Sequence, residues 1–327
     1  MTIKVLFIGG TGVISSACSE RALEKGLDLH LLTRGTSPRP IPKGAKAIKG
    51  NINDQAAVKD MLHDFKFDVV VNWIAYQPQD IKRDIDLFEG RIGQYVFISS
   101  ASVYQKPVKK LPITEETPLD NPYWSYSRAK QACEEILVEA YQKEKFPVTI
   151  VRPAHTYDKT LLPFRGGYTT LHRMMNHKPV IIHGDGTSLW VLTHHKDFAL
   201  GFTGLLGNDL ALGEAFHITS DQLLTWNSIF QALAEAAGAE LDPVYIPSTA
   251  IARELPEWGP GLLGDKAHSV IFDNTKIKNL VPEFQADILY QDGCRETTAW
   301  YRENPQAQII DQDLSHRMDL LISKYKN

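Results

Sequence analysis

The start of the chain constrains its fold more than any other stretch. Residues 5–8 form a short apolar run rich in β-branched side chains, and the glycine turn Gly9-Gly10-Thr11-Gly12 follows directly. Residues 13–25 then have the pattern of a helix. A strand, a glycine turn and a helix in this order are typical of the first unit of a parallel sheet covered by helices.

The same alternation continues to residue 152, and it predicts further elements of both kinds. We expect strands at residues 28–33, 45–49, 68–74, 94–99 and 147–152, and helices at residues 54–65, 80–89 and 126–143. The strand at residues 68–74 is expected to be fully buried. The sequence therefore predicts an α/β fold with a Rossmann-like, doubly wound parallel sheet.

Beyond residue 152 the alternation loosens, which predicts a second, smaller domain. We expect a hairpin-like turn at residues 183–187, strands at 214–219 and 243–246, and helices at 170–176, 226–237, 287–303 and 313–324. The Gly- and Pro-rich segment 256–264 is the best candidate for a mobile lid. We assign residues 1–162 to the Rossmann domain, to which residues 189–222 return. Residues 163–188 and 223–327 form the interleaved C-terminal α/β domain, which would bind the substrate.

Composition and charge narrow the classes of partner. The 327 residues are 43% hydrophobic and 23% charged, which is ordinary for a globular protein. A formal net charge of −4 gives no electrostatic reason to expect binding to nucleic acid or to a membrane. Cys18, Cys133 and Cys294 are few and widely spaced, so neither a disulfide framework nor a zinc site is predicted. Without a leader pattern or an apolar stretch of membrane-spanning length, we expect a cytoplasmic protein.

The glycine turn has the composition of a dinucleotide-binding loop. Small residues at Gly9 and Gly12 let the backbone approach a pyrophosphate, which the N-terminus of the following helix attracts. Thr11, Val13 and Ile14 complete the predicted loop contacts. The pattern ends in Ser15 where the usual fingerprint has a third glycine.

The end of the second predicted strand bears on the choice of dinucleotide. An acidic residue there would bind the adenosine ribose and repel a 2′-phosphate, but the chain has Thr33, Arg34 and Gly35, with Arg39 shortly after. A guanidinium suits a phosphate, which favours NADP, with NAD as the alternative. Arg34 could instead stack on the adenine or face solvent.

A phenol and an ammonium group lie four residues apart at the start of a predicted helix. Tyr126 and Lys130 would share one face of that helix and could point into one pocket. A free tyrosine has a pKa near 10, so a base that acts near neutral pH needs a lowered pKa, and a neighbouring lysine supplies part of that.

These motifs together resemble the extended short-chain dehydrogenases/reductases, the NAD-dependent epimerase/dehydratase family. The similarity extends over nearly the whole chain and its landmarks occur in the family's order. They are the glycine loop, Val96 to Tyr104, Tyr126 to Lys130, Val151-Arg152-Pro153, His183 to Gly186, Asp273 to Lys276, and Trp300-Tyr301.

The resemblance implies a hydride-transfer site made of Ser100, Tyr126 and Lys130. Tyr126 would exchange the proton of a substrate hydroxyl, Lys130 would lower the tyrosine pKa and hold the nicotinamide ribose, and Ser100 would orient the substrate oxygen. Ser99 and Ser102 are the alternatives to Ser100, which is preferred because it stands four residues before Tyr104.

The resemblance also assigns residues to the cofactor and to the substrate. It places Asn51 and Ile52 at the adenine, and Ala75 and Pro153 beside the cofactor. His155 falls where many relatives have a substrate-contacting asparagine, although a lone histidine is often structural. Ser102 and Tyr104 are further predicted substrate contacts.

Departures from the family pattern bear on the substrate. Trp190 stands where nucleotide-sugar enzymes of the family have an arginine for the diphosphate, and a tryptophan can stack on a sugar ring instead. The second family arginine has no counterpart near Lys266 and His268, so Trp190 and residues 264–266 offer at most one cation where those relatives have two arginines. Lys266 and His268 remain candidate polar contacts to the substrate.

The sequence therefore predicts an NAD(P)-dependent oxidoreductase or epimerase that acts on a small sugar or sugar derivative without a nucleotide handle. The alternative is a non-catalytic nucleotide- or RNA-binding relative, because chloroplast stem-loop RNA-binding proteins resemble this group. We predict a homodimer in which the helices at residues 80–89 and 126–143 pair across a two-fold axis. Neither a nucleic acid nor a membrane is an expected partner.

Overall fold

A seven-stranded parallel sheet forms the centre of the protein, in a computed structural model that describes residues 2–326. Six further short strands lie outside it in parallel or antiparallel pairs. In chain order the strands are β1 Lys4–Ile8, β2 Asp28–Thr33, β3 Lys46–Lys49, β4 Val69–Asn72, β5 Gln94–Ile98, β6 Val148–Pro153, β7 His155–Tyr157, β8 Val180–His183, β9 Leu189–Trp190, β10 Leu192–His194, β11 Ala215–Ile218, β12 Leu224–Thr225 and β13 Pro243–Ile246.

Helices cover the sheet and build the C-terminal part. They are α1 Val13–Glu24, α2 Gln55–Met61, α3 Pro78–Phe88, α4 Ser125–Glu144, α5 Tyr168–Met175, α6 His195–Thr203, α7 Trp226–Ala237, α8 Ser248–Glu254, α9 Gly259–Gly261, α10 Thr275–Leu280, α11 Tyr290–Glu303 and α12 Gln312–Ile322. Most predicted elements are present with ends shifted by a few residues. The sequence patterns missed α6, α8 and α10, which are short, the four-residue strand β8, and the strands of two or three residues.

The strand order β11-β6-β5-β4-β1-β2-β3 confirms the predicted doubly wound sheet. Alternate residues of each strand point to opposite faces of the sheet, so β1 contributes to two cores. Val5 and Phe7 pack with side chains of α1 and α6, whereas Leu6 and Ile8 pack with side chains of α2, α3 and α4. The order reverses between β1 and β4, and ligands of such sheets bind beyond the carboxyl ends of the strands at this point.

The C-terminal part has its own apolar core between α5, α7 and α11. The segment between its two halves returns to the sheet, because α6 packs against α1 and β11 pairs with β6. The strands β9 and β10 stay outside the central sheet and pair with β12 and β7. The predicted domain limits are not tested by this arrangement and stay a prediction.

Two sequence-based predictions of local structure are wrong. The turn at residues 183–187 does not close a hairpin, because β8 pairs with β13 and β9 pairs with β12. The predicted loop at residues 256–264 is helical: a 3-10 turn at Pro256–Trp258 and α9 lead into a π-helical turn at Leu262–Lys266. Trp258 and Leu262 are buried in a core with side chains of β13 and α12, which explains the helical structure.

Three further features concern the cysteines, membrane-spanning helices and metal-binding clusters. The three cysteines are free and buried. Within residues 2–326 no helix is both long and apolar enough to span a membrane. The same part of the chain contains no cluster of three or more His, Cys, Asp or Glu side chains that could hold a metal ion.

Gly10 gives a test of the first turn. Its φ of +106° is unfavourable for other residues, and an added Cβ would lie 2.8 Å from Leu31 Cδ2. We expect Gly10→Ala to lower the free energy of unfolding by about 1–3 kcal/mol in urea denaturation. Gly35→Ala is the matched control, because Gly35 also has a positive φ but no atom within 4 Å of an added Cβ. Equal losses for the two variants would contradict the packing argument.

Candidate active site

The glycine turn lies at the reversal point of the sheet and begins α1. Gly9 and Gly10 have φ values of +97° and +106°, and Gly12 is the extended N-cap residue of α1. A Cβ on Gly9 would lie 3.3 Å from Trp73 Cβ. The backbone of the turn therefore stays open, as an approaching phosphate requires. Ser15, the departure from the glycine fingerprint, accepts a hydrogen bond from the N–H of Gly12 at 2.7 Å.

A cleft of about 650 Å³ runs along the strand ends beside this turn. It brings together five of the predicted cofactor residues, Gly9, Thr11, Arg34, Asn51 and Ile52. An elongated polar ligand such as a dinucleotide fits a cleft with this backbone-lined wall and an exposed guanidinium.

Arg39 does not reach this cleft. Its guanidinium contacts Asp158 at 2.5 Å and Thr160 at 2.6 Å, on the far side of α1. Among the cleft-lining residues of the described chain, Arg34 is the one cation, and Asp80 is the one carboxylate. Asp80 is already engaged, because it accepts hydrogen bonds from the N–H groups of Tyr76 and Gln77.

A second, smaller cavity of about 260 Å³ continues from the first. Tyr76 lines both, so the two form one path along the sheet edge. The second cavity contains Val13, Ile14, Pro153 and the three predicted catalytic residues. Ala75 is fully buried and lines neither cavity, so its side chain does not contact a ligand there.

The first turns of α4 position Tyr126 and Lys130 on one face. Lys130 Nζ lies 5.8 Å from the Tyr126 ring centroid. The ammonium group is buried and donates hydrogen bonds to the carbonyl oxygens of Ala75 at 2.6 Å and Ile98 at 2.7 Å. Ala75 therefore takes part in the site through its backbone. An ammonium has three N–H groups, and these two bonds leave one for a ligand.

Ser100 follows the end of β5 and lies beside Tyr126. Its Oγ is 2.9 Å from Ser102 Oγ, which also accepts a hydrogen bond from Ser127 at 2.8 Å. Ser100 and Ser102 line the cavity next to Tyr126 on the substrate side, whereas Ser99 lines only the cavity of the glycine turn. Ser100 is thus the one of these three serines that lines both cavities beside Tyr126.

Burial controls the protonation of the pair. Desolvation raises the pKa of Tyr126 to about 12, and a hydrogen bond with Ser100 opposes this shift only in part. Desolvation also lowers the pKa of Lys130 to about 8. Burial therefore outweighs any lowering of the Tyr126 pKa by Lys130, whose ammonium group is bound to two carbonyl groups. Tyr126 is therefore protonated near neutral pH.

A third cavity of about 290 Å³ opens on the other side of Ser100, Tyr126 and Pro153. The structure brings four predicted substrate contacts to its wall, namely Ser102, His155, Trp190 and Lys266. It also adds Asp265, together with Lys106, and the sequence patterns did not single out Lys106. Lys106 is therefore a second cation in this wall, in addition to the one that Trp190 and residues 264–266 were predicted to offer.

Trp190 and His155 form one polar pair in this wall. Trp190 Nε1 donates to His155 Nδ1 at 3.2 Å. Burial lowers the pKa of His155 well below its ordinary value, so the ring is neutral and its Nε2 carries the proton. The Trp190 ring is buried beside Trp226, with 5.4 Å between the ring centroids.

Two predicted substrate contacts lie outside the cavity. Tyr104 is fully buried, and its hydroxyl group contacts Arg152 at 3.2 Å and His217 at 3.1 Å, so it belongs to an internal polar cluster. His268 Nε2 contacts the carbonyl oxygen of Leu263 at 2.8 Å and does not line the cavity. The structure therefore does not bring Tyr104 or His268 to the wall of this cavity.

The Asn121 side chain connects the helical segment at Leu262–Lys266 to the turn that contains Ser102. Asn121 Nδ2 donates to the carbonyl oxygens of Ser102 and Gly264, both at 2.7 Å. Gly264 packs closely there, since an added Cβ would lie 3.0 Å from Trp124 Cβ. This connection holds Asp265 and Lys266 in the cavity wall.

The fold and this series of cavities define an extended short-chain dehydrogenase/reductase. The chain belongs to the NAD dependent epimerase/dehydratase family, whose model matches residues 5–218. This confirms the resemblance drawn from the sequence motifs.

Individual relatives differ in function and in coverage. The chain is 28% identical over 249 residues to the chloroplast stem-loop binding protein of 41 kDa b of Arabidopsis thaliana, an alignment that covers 72% of this chain and 63% of that protein. It is 24% identical over 288 residues to 2'-dehydrokanamycin reductase of Streptomyces kanamyceticus, covering 87% and 80%. The solved structure of an epimerase from Methanothermobacter thermautotrophicus matches with a TM-score of 0.76 at 18% identity, over 94% of both chains.

Lys130→Met tests the lowered lysine pKa through stability. The unfolded-state pKa is near 10.5 and the folded-state pKa about 8, so between these values the unfolded chain binds more protons and wild-type stability rises with pH. We expect the wild-type free energy of unfolding, relative to Lys130→Met, to rise by up to about 3 kcal/mol from pH 8 to pH 10.5 in urea denaturation. Lys82→Met, which removes an exposed ammonium from α3, is the matched control. A difference that stays constant with pH would contradict this prediction.

Proposed function

We propose that the protein is an NAD(P)-dependent oxidoreductase or epimerase that acts on a hydroxyl or keto carbon of a small, sugar-like substrate without a nucleotide handle. The observation that carries the proposal is the position of Ser100 and Tyr126. They lie where the cavity of the glycine turn meets the cavity of Trp190 and Lys266. A proton donor at this boundary can serve a reaction between two ligands, one in each cavity.

The residues of the cleft fit a nicotinamide dinucleotide. Gly9, Thr11 and the N-terminus of α1 would hold the pyrophosphate, Arg34 and Asn51 the adenosine end, and Lys130 the nicotinamide ribose. When bound, the nicotinamide supplies or accepts the hydride.

Side chains of the protein supply the transferred proton and orient the oxygen that receives it. In the direction of reduction, the protonated Tyr126 gives its proton to the carbonyl oxygen, and Ser100 donates a hydrogen bond to the same oxygen. Lys130 stabilises the tyrosinate that remains, since its ammonium group lies on the same helix face. Burial keeps Tyr126 protonated near neutral pH, which is the form that a reduction requires.

The size of the substrate cavity supports a substrate without a nucleotide. A volume of about 290 Å³ is at the lower end for small-molecule sites. Trp190 replaces the family arginine and presents an apolar face, and its N–H is already bonded to His155. A sugar ring has C–H faces that suit such a wall.

Two structural proposals accompany the function. We keep residues 1–162 and 189–222 as the cofactor-binding part and residues 163–188 and 223–327 as the substrate-binding part. For the homodimer, α3 and α4 pack beside each other and provide the surface for the two-fold contact. Light scattering at micromolar concentration measures the mass, and a monomer would contradict the proposed dimer.

A second candidate function is RNA binding without turnover, which the similarity to the chloroplast stem-loop binding protein favours. The net charge of −4 opposes it. Titration with NADPH and NADH distinguishes the two, because a cofactor site changes nicotinamide fluorescence. An RNA-binding protein would instead retain RNA in a salt-dependent way.

Tyr126→Phe tests the catalytic assignment. We expect cofactor affinity within about two-fold of wild type, and turnover lower by about 10² to 10⁴, because only the proton donor is lost. Substrates come from a screen of sugars, amino sugars, sugar acids and UDP-sugars with each cofactor, followed by absorbance of the reduced nicotinamide. Turnover within a few-fold of wild type would contradict the role of Tyr126. A UDP-sugar as the best substrate would contradict the absence of a nucleotide handle.

Arg34→Ala tests the preference for NADP. We expect the affinity for NADPH to fall at least about tenfold and that for NADH to change less than about threefold, since only NADPH has the 2′-phosphate. Fluorescence titration measures both constants. Lys43→Ala, which removes an exposed charge that does not line the cleft, is the control. Equal losses for both cofactors would show that Arg34 stacks on the adenine or faces solvent.

A further inference from the structure

Two lysine side chains line the substrate cavity with too few partners for their charge. Lys106 is 3% exposed, and the Lys266 side chain is 13% exposed. The nearest carboxylate is that of Asp265, 3.7 Å from Lys266 Nζ. No side chain or carbonyl group of residues 2–326 accepts a hydrogen bond from the Lys106 ammonium group. A buried ammonium without partners is costly, so such groups are normally paired.

The charges of the cavity wall do not cancel. When protonated, Lys106 and Lys266 contribute two positive charges and Asp265 contributes one negative charge, while burial keeps His155 and Tyr126 neutral and also lowers the pKa values of the two lysines. Arg165 lies behind the wall, in a small cavity that shares Lys266, and adds to the positive potential. The wall therefore has a net charge of about +1 next to the catalytic hydroxyl groups.

We propose that the substrate carries a carboxylate, which Lys106 and Lys266 bind together, so that the substrate class is a sugar acid. This inference rests on the proposed function and specifies its substrate. One carboxylate matches the net charge of the wall and gives both ammonium groups an acceptor. A dianionic phosphate would exceed the net charge of the two lysines and Asp265, a cationic sugar would be repelled, and a neutral sugar would leave Lys106 without an ion partner.

The helical segment at Leu262–Lys266 positions Lys266 in the cavity wall. Lys266 Nζ lies 5.5 Å from the Trp190 ring centroid, so the ammonium is held over the indole. Asn121 fixes the same segment to the Ser102 loop. The carboxylate site is thus built on backbone connected to this loop, which would orient the ring of the substrate toward Tyr126.

Binding to the cofactor-loaded Tyr126→Phe protein tests this inference without turnover. The probes are D-glucuronate and D-galacturonate, the neutral parents D-glucose and D-galactose, and D-glucose 6-phosphate, measured by calorimetry. We expect a uronate to bind at least about tenfold more tightly than its neutral parent and than the phosphate. Equal binding of uronate and parent, or no binding of any uronate, would overturn the inference. Strongest binding of the phosphate would overturn the carboxylate in favour of a phosphate site.

Matched variants locate the site. Lys106→Met and Lys266→Met should each weaken uronate binding at least about tenfold, whereas Lys110→Met, at an exposed lysine of the same loop, should not. Lys106→Met should unfold at the same or a higher temperature, because an apolar side chain of similar length replaces a buried charge. Wild-type uronate affinity in Lys106→Met would overturn the inference.

Turnover separates this inference from the proposed function. Uronate binding without any turnover in the wild-type protein would contradict the oxidoreductase but support the carboxylate site. Turnover of neutral sugars with no preference for uronates would support the oxidoreductase and overturn the carboxylate site.

Discussion

The buried ammonium group of Lys130 connects the helix that carries Tyr126 to the ends of two neighbouring strands. It donates to the carbonyl oxygen of Ile98, the last residue of β5, and to that of Ala75, which follows β4. An ion that is 2% exposed is costly, and these carbonyl dipoles together with the Tyr76 ring, 4.5 Å from Nζ, offset part of that cost. Because this contact fixes the first turns of α4 at the sheet edge, the Tyr126 phenol reaches the boundary of both cavities.

Removal of water then decides the protonation of the site. Burial shifts each group toward its neutral form, raising the pKa of Tyr126 and lowering the pKa values of His155 and Lys130. The site therefore presents proton and hydrogen-bond donors to a substrate oxygen, and none of these three groups is a negatively charged base. In a buried site of this kind the electrostatic interactions of each remaining charge are stronger, because the local dielectric constant is low.

Periodicity in the sequence was sufficient to predict the central sheet, because buried parallel strands and their covering helices have patterns that can be recognised locally. Short motifs also predicted that Ser100, Tyr126 and Lys130 belong to one site, and all three line one cavity in the structure. The errors came from irregular backbone and distant contacts. The 3-10 turn at Ala101–Val103 directs Tyr104 into the interior, and Lys106 follows in a loop without any pattern. The partner of Arg39 is 119 residues away, so no local pattern could indicate that Arg39 is engaged.

The protein contains two kinds of buried charge, and the contrast between them separates structure from function. Arg152 has a carboxylate partner in Glu134 at 2.6 Å and also donates to Tyr104 and to the carbonyl oxygen of Glu115. A charge with such complete bonding supports the fold and leaves nothing for a ligand. The lysines of the substrate cavity lack this bonding although they are also buried. An under-bonded charge lowers the stability of the protein alone, and a ligand of opposite charge recovers that loss on binding.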